Sequence, residues 1–445
     1  MEVLSLPIFL DDFACLMNVK KESMREKFFN GKLNFLDETF RRYFESIWIP
    51  IRVEEFSVNP SDLDILAVDS SVYINMLSNG GIFYIARSLA VQRDIVGKKL
   101  ETNVVFSRDR VSRIREFITV KMEMLEFEAA LEALKNGFDG DAVLLDGSLY
   151  GRVCHIPIEY RVEEEYDVLL RYFRVYRELL NVCYRSNIPL VGVSKESRST
   201  FYRDYLLSLI FNEKLKELNI EEDKKILEKL FFQVLDVEKT AFKIFSRLQG
   251  KYGDKLGVID LILRELSSSR PDYQLIMSYA SSIGYTNPLL LGSHIRMARR
   301  LKEYYKNPEE CVGKYFPRLT MEKGEEFIQW ASSILKSILE FPSFISFYIL
   351  LDPRDSPIRI DTPYYGKSIF EISWPEPASI DVSDLLRIMV TGYCGLNAYN
   401  LWLRNADEKV RLKRRVVDNI YIPYLEKLFG EKIIYGRRYR RVKYP

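Results

Sequence analysis

Acidic side chains carry the chemistry that this sequence can offer. Two apolar runs end alike, in an aspartate followed by a tiny residue and a serine: Ala67-Val-Asp-Ser-Ser71, which holds Asp69, and Leu144-Leu-Asp-Gly-Ser148, which holds Asp146. A carboxylate at the end of a buried strand is held rigidly, and small residues after it let the backbone turn and a bulky substrate approach. Either aspartate alone reads equally well as a turn or capping residue; two on neighbouring strands point to one shared site. Between them lie Glu123, Glu126 and Glu128. Glu123 and Glu126 share a helix face and Glu128 does not, and at least one of the three is an ordinary solvated glutamate. An acid that reaches both strand ends completes a set of hard oxygen donors suited to Mn²⁺ or Mg²⁺. Two such ions, roughly 3.5–4 Å apart, activate water and stabilise the leaving oxygen in phosphodiester cleavage. A proton-sharing pair of aspartates, as in aspartic proteases, is the other chemistry to weigh. It requires a nearly all-β chain with two similar halves, and the long helical patterns and the 77 positions between Asp69 and Asp146 argue against it.

Composition narrows the field further. The chain has 445 residues, 47% hydrophobic and 29% charged, enough for a large core and for two or three structural units or one domain carrying big insertions. Only His155 and His294 are present, so zinc sites rich in histidine and most histidine-based triads lack raw material, and both read as structural. Cys15, Cys154, Cys183, Cys311 and Cys394 are widely spaced with no CxxC pair, the pattern of reduced thiols in a cytosol. The apolar opening is too short and lacks a basic start for an export signal, and the most apolar later run, near Phe341–Leu351, is interrupted by Pro342; no membrane partner is expected. Val3–Leu10 is expected to pack on its own domain.

Periodicity supplies the elements that must position these acids. Residues 12–48 carry a helical pattern. Strands are expected at 64–69, 82–91 and 101–106 as an antiparallel meander, then a helix at 109–136 marked by Val111, Ile114, Ile118, Met122, Leu125 and Ala129 at three- and four-residue steps. A buried strand at 142–146, a helix at about 159–185 and a strand at 188–193 follow. The order β, β, β, α, β, α, β predicts an α/β fold with an RNase H-like core, a mixed five-stranded sheet flanked by helices. Four segments are expected: an N-terminal helical segment (1–60), the first part of the core (61–200), a large helical insertion (201–340), and a hairpin with C-terminal helices and a basic tail completing the core (341–445).

A family resemblance joins these blocks. The runs around Asp69 and Asp146, Leu125-Glu-Phe-Glu-Ala-Ala130, Gly192-Val-Ser-Lys195, Asp272-Tyr-Gln-Leu-Ile-Met277, Arg359-Ile-Asp-Thr-Pro363, Thr391-Gly-Tyr393 and Ala406-Asp-Glu-Lys-Val-Arg-Leu412 stand in the order found in the archaeal and bacterial NurA nucleases. Over about residues 60–415 the chain resembles that family. The resemblance implies manganese-dependent DNA cleavage with two ions, 5′-to-3′ exonuclease and single-strand endonuclease activity, a homodimer, and work beside a hexameric HerA-type ATPase in DNA end resection. It assigns the metal-binding and catalytic roles to Asp69, Glu126, Asp146 and Asp407; the last stands where the family often has histidine, and Cys394 stands where proline is common. Preferring Glu126 to Glu123 follows from alignment with the family. The Asp407 departure leaves room for a catalytically silent adaptor of the ATPase ring, and an RNase H-like nuclease acting on RNA or branched DNA is a third reading.

Charge is unevenly spread. Lys and Arg number 65 against 63 Asp and Glu, yet Arg404–Pro445 holds thirteen basic and five acidic residues, for a local charge of +8. Arg411-Leu-Lys-Arg-Arg415 is strongly basic and the run 436–444 interleaves cations with tyrosines, a combination suited to single strands, though a solubilising tail or a subunit contact accounts for the last ten residues equally well. Ser71, Ser148, Lys195, Arg198 and Arg411 are the expected contacts to nucleic acid, with a plain loop lysine the competing account of Lys195. Arg359 and Asp361 read as an edge-strand ion pair of little energetic consequence.

Overall fold

The computed structural model describes residues 8–29, 37–218, 223–238, 240–268, 270–293 and 295–437. His294, the first residues of the apolar opening and the tail beyond 437 lie outside them. The chain divides into two units, Met1–Trp48 with Arg198–Ser282, and Ile49–Ser197 with Ile283–Pro445.

The second unit is built on a mixed sheet. Strands β1 (Ile65–Met76), β2 (Ile82–Val91) and β3 (Ile95–Val105) form the expected meander, and helix α1 (Val111–Lys135) leads to β4 (Ala142–Asp146). A short helix α2 (Leu149–Val153) and α3 (Val168–Arg185) lead to β5 (Leu190–Ser194). The late hairpin, β6 (Pro342–Leu350) and β7 (Ile358–Ser368), joins the same sheet, followed by α4 (Ser383–Gly392) and α5 (Leu401–Val410). The order across the sheet is β6-β7-β5-β4-β1-β2-β3. Strands β1, β4 and β5 are parallel to one another and the outer pairings are antiparallel.

Burial explains the arrangement. Every residue of β5 and all but the last of β4 are buried, as parallel central strands require. On one face Ala67, Leu144, Val193 and Ile360 pack against Leu386 of α4 and against Trp402, Leu403 and Ala406 of α5. Helix α1 is seated elsewhere, joined to α3 through Phe127 stacked on Tyr176 at 4.5 Å between ring centroids. It also presses on β3 at Gly97, where a Cβ would stand 2.3 Å from the Ala129 carbonyl oxygen.

Several expectations change. Strand β1 does not stop at Asp69 but runs on to Met76, because Ser70 and Ser71 keep their places in the ladder with β2. Strand β3 begins at Ile95 rather than 101; its charged residues suit a strand at the end of the sheet path, where alternate side chains meet solvent. Helix α3 starts at Val168, not 159, since the preceding stretch pairs Val162 with Ser107 and passes through Glu164 at φ 64°. Arg359 and Asp361 are not on an edge: β7 lies between β5 and β6, and the pair, 2.9 Å apart, is 3% and 1% exposed. The helical stretch expected at 201–340 divides, residues up to 282 joining the first unit. The remainder contributes short strands Gly284–Thr286 and Leu289–Leu291 that pair with β6.

The first unit is helical in its described residues. Asp272, fully buried, accepts the backbone N–H groups of Arg203 at 2.9 Å and Tyr202 at 3.3 Å, and so caps helix Phe201–Glu217 from another segment. Burial pushes its carboxyl up to about 7. Arg203 is buried beside it on Asp204 and the carbonyls of Ser268 and Arg270. The Asp272 block therefore builds this unit. Ile8, Phe9 and Phe13 are exposed rather than packed on their own domain.

Candidate active site

Strand register brings the two aspartates together. In the parallel pair, Ile65 faces Ala142 and Val68 faces Leu145, a constant offset of 77 positions. Asp69 and Asp146 share that offset and follow next along their strands, so they stand side by side. Their face is the one on which Ala67 and Leu144 meet α5. Strand β4 ends at Asp146, and the chain leaves through Gly147 at φ 111°, a backbone state that glycine adopts freely. The sheet rim thus opens beside Asp69.

Asp407 reaches this face from α5, and its charge, with those of Glu126 and Asp146, acts on Asp69. Burial first, and then these three carboxylates, push the Asp69 carboxyl up to about 7, against the pull of the Ser70 N–H it accepts at 2.7 Å. Glu126 arrives from α1 on the other side: it accepts from the Ser70 hydroxyl, and neighbouring residues of a strand project to opposite faces. Glu123 is committed elsewhere, to Nε2 of His155 at 2.9 Å and the Tyr172 hydroxyl at 2.7 Å. Glu126, rather than Glu123, thus meets Ser70, the residue next to Asp69, while His155 is held by Glu123.

Three of the four acids carry a cation of the protein itself. Buried Arg152 of α2 pairs with Glu126 and donates to the Asp146 carbonyl oxygen at 2.8 Å. Lys195 lies 3.2 Å from Asp146, and Arg411 lies 2.7 Å from Asp407. Asp69 has no such partner among the described residues. No three His, Cys, Asp or Glu side chains among the described residues converge closely enough to hold a metal ion. The donor set is nonetheless right in kind for a hard divalent ion. To reach a divalent ion, Glu126 would have to exchange Arg152, and Asp146 would have to exchange Lys195.

Sequence reasoning missed Arg152 and Tyr399. The Lys195 ammonium sits 4.3 Å from the centre of the Tyr399 ring, and the Asp146 carboxylate acts on the Tyr399 hydroxyl. Burial and that carboxylate hold the phenol well above its ordinary range. Neither residue bears a motif. Of the expected nucleic-acid contacts, Ser71 and Ser148 spend their hydroxyls on the fold: Ser71 accepts the Leu412 N–H at 2.9 Å, while Ser148 caps α2 and donates to Asp361 at 2.5 Å. Lys195, Arg198 and Arg411 are exposed.

The NurA domain family model matches residues 63–412. Among solved structures, the chain is similar to the NurA nuclease from Sulfolobus solfataricus at 14% identity, covering 95% of this chain and 98% of that one with a TM-score of 0.51. It is also similar to NurA with manganese, at 13% identity over 92% and 98% of the two chains with a TM-score of 0.42. NurA bound to dAMP and manganese gives 14% identity, 93% and 97% coverage and a TM-score of 0.33. Only the first of these likenesses is strong enough to bear on the fold. None of the curated proteins matches the sequence.

Proposed function

Since the chain belongs to the NurA-domain family, we propose that it is a metal-dependent nuclease that cleaves DNA phosphodiester bonds at the acids of β1, β4 and α5. The observation that supports this reading is the parallel register of β1 and β4, in which Val68 faces Leu145 and Asp69 and Asp146 are the next residues of the two strands. Asp69 and Asp146 would hold the ion or ions, Asp407 would join them from α5, and Glu126, held at Ser70 next to Asp69, would complete the shell. Manganese is the ion the family resemblance implies, with magnesium an alternative that the same oxygen donors accept. When bound, the metal supplies an activated water and offsets charge on the departing oxygen. Lys195, held near the site by Asp146 and the Tyr399 ring, offsets charge on the substrate phosphate. Arg411 would contact the strand. In its finer form the proposal is a 5′-to-3′ exonuclease with single-strand endonuclease activity, acting as a homodimer beside a HerA-type ATPase in end resection.

The test incubates the purified protein with end-labelled single- and double-stranded DNA in Mn²⁺, Mg²⁺ or chelator, with and without the ATPase. Cleavage is expected with Mn²⁺ and not with chelator, and Asp69→Asn and Asp146→Asn are expected to abolish it while keeping the wild-type circular dichroism. Full activity in either variant would end the proposal. Absence of cleavage under every condition, with the ATPase bound, would make the chain an adaptor.

A further inference from the structure

We propose that Arg87 is a positioning residue which, together with Ser71, clamps the end of α5 and thereby fixes Asp407 over Asp69 and Asp146. The inference rests on the reading of Asp407 as a metal ligand. Ser71 and Arg87 are direct cross-strand partners on β1 and β2, two residues from the paired Asp69 and Leu89 and on the same face. Both reach for the residues that close α5. Arg87 donates from Nε to the Val410 carbonyl oxygen at 2.7 Å and from its terminal nitrogen to the Arg411 carbonyl oxygen at 2.9 Å. Ser71 accepts the Leu412 N–H at 2.9 Å.

The physical sense lies in the helix end. The last carbonyls of a helix have no partner within it, and a cation there meets the negative end of the helix dipole. A guanidinium, with donors set in a planar fork, can take two successive carbonyls at once, which an ammonium does less well. Asp407 lies three residues before Val410, roughly 4.5 Å along the axis, so the turn that carries it is the one being held. The other end of α5 is fixed separately, by Asn400 accepting from the N–H groups of Trp402 and Leu403, each at 3.1 Å. Arg87 forms no ion pair among the described residues; its charge goes to carbonyl oxygens instead. A ligand carboxylate on a short helix needs such an anchor, because its Arg411 partner is exposed and swings with the same turn.

The experiment measures Mn²⁺ binding to the full chain by electron paramagnetic resonance, with thermal unfolding of the metal-free protein alongside. Arg87→Met, Arg87→Lys, Ser71→Ala and Asp407→Asn are compared, and Arg87→Met is also combined with Asp407→Asn. Loss of an outer partner of a metal ligand weakens binding about 10- to 100-fold. Asp407→Asn and Arg87→Met should each weaken Mn²⁺ binding by about tenfold or more. The double variant should bind no more weakly than Asp407→Asn alone, and Arg87→Lys should recover part of the loss. Unchanged affinity in Arg87→Met, beside a loss in Asp407→Asn, overturns the clamp and leaves the ligand reading standing. Unchanged affinity in Asp407→Asn overturns the ligand reading, and the clamp falls with it. If Arg87→Met fails to fold, Arg87→Lys and Ser71→Ala decide: wild-type affinity in both overturns the clamp, and a loss that disappears in the Asp407→Asn background supports it.

Discussion

Titration of Asp69 ties stability and metal binding together in a way that a single substitution can expose. Its side chain is nearly buried, and burial, followed by the charges of Glu126, Asp146 and Asp407, raises its carboxyl from 3.8 to about 7. The folded protein therefore holds a proton up to about pH 7 that the unfolded chain releases near 3.8. Between those values the folded state binds more protons, so stability is fullest below pH 3.8, falls as pH rises to about 7, and is level above it. Three pH units at 1.36 kcal/mol each amount to about 4 kcal/mol. Asp69→Asn removes that term and keeps an oxygen for the Ser70 N–H. The metal-free variant should be more stable than wild type at pH 8, by up to about 4 kcal/mol, and by much less at pH 5. Metal binding should show the counterpart: a ligand that must lose its proton costs about tenfold in apparent affinity for each pH unit below 7. Urea unfolding of both proteins at pH 5 and 8, with Mn²⁺ titrations from pH 5.5 to 8.5, measures the two effects. Wild-type Mn²⁺ affinity that is flat between pH 5.5 and 7, or an Asp69→Asn protein no more stable than wild type at pH 8, would refute the reasoning.

Two further substitutions probe the surroundings of the site. Arg152→Met leaves Glu126 buried without its cation and should destabilise the protein by roughly 3–5 kcal/mol in urea unfolding, with part of the loss returned by adding Glu126→Met. Gly192→Ala would place a Cβ 2.7 Å from the Gly147 carbonyl oxygen and 2.8 Å from the Leu149 nitrogen. The turn after Asp146 must then shift, at about 1–3 kcal/mol, and Mn²⁺ affinity should fall with it. Unaltered unfolding curves would contradict either expectation.

Much of the architecture was legible in the chain because it depends on local period. The two-residue alternation and apolar runs marked β2 and β4, and the helical step marked α1, to within a few residues. Errors fell where local signals compete with the ladder. The serines after Asp69 look like a turn, yet pairing with Ser88 and Arg87 carries the strand through them. The acidic run at Glu163–Glu165 has helical composition, but after Val162 pairs with Ser107 it enters a turn, with Glu164 at φ 64°. The site was half legible in the same sense. Aspartates followed by tiny residues could be read off; Arg152, Tyr399 and Arg87 could not, since an arginine or a tyrosine in sequence gives no sign of what it will face.

The chain alone offers oxygen donors rather than imidazole or thiolate for the candidate site, on two strands and two helices. Tertiary structure decided their company. Register put Asp69 and Asp146 next along paired strands, α1 brought Glu126 to Ser70, α2 brought Arg152 to Glu126, and β2 brought Arg87 to the end of α5. The reason is one of range: strand and helix propensities act over a few residues, whereas the electrostatics of a buried carboxylate depends on charges brought together from positions hundreds of residues apart.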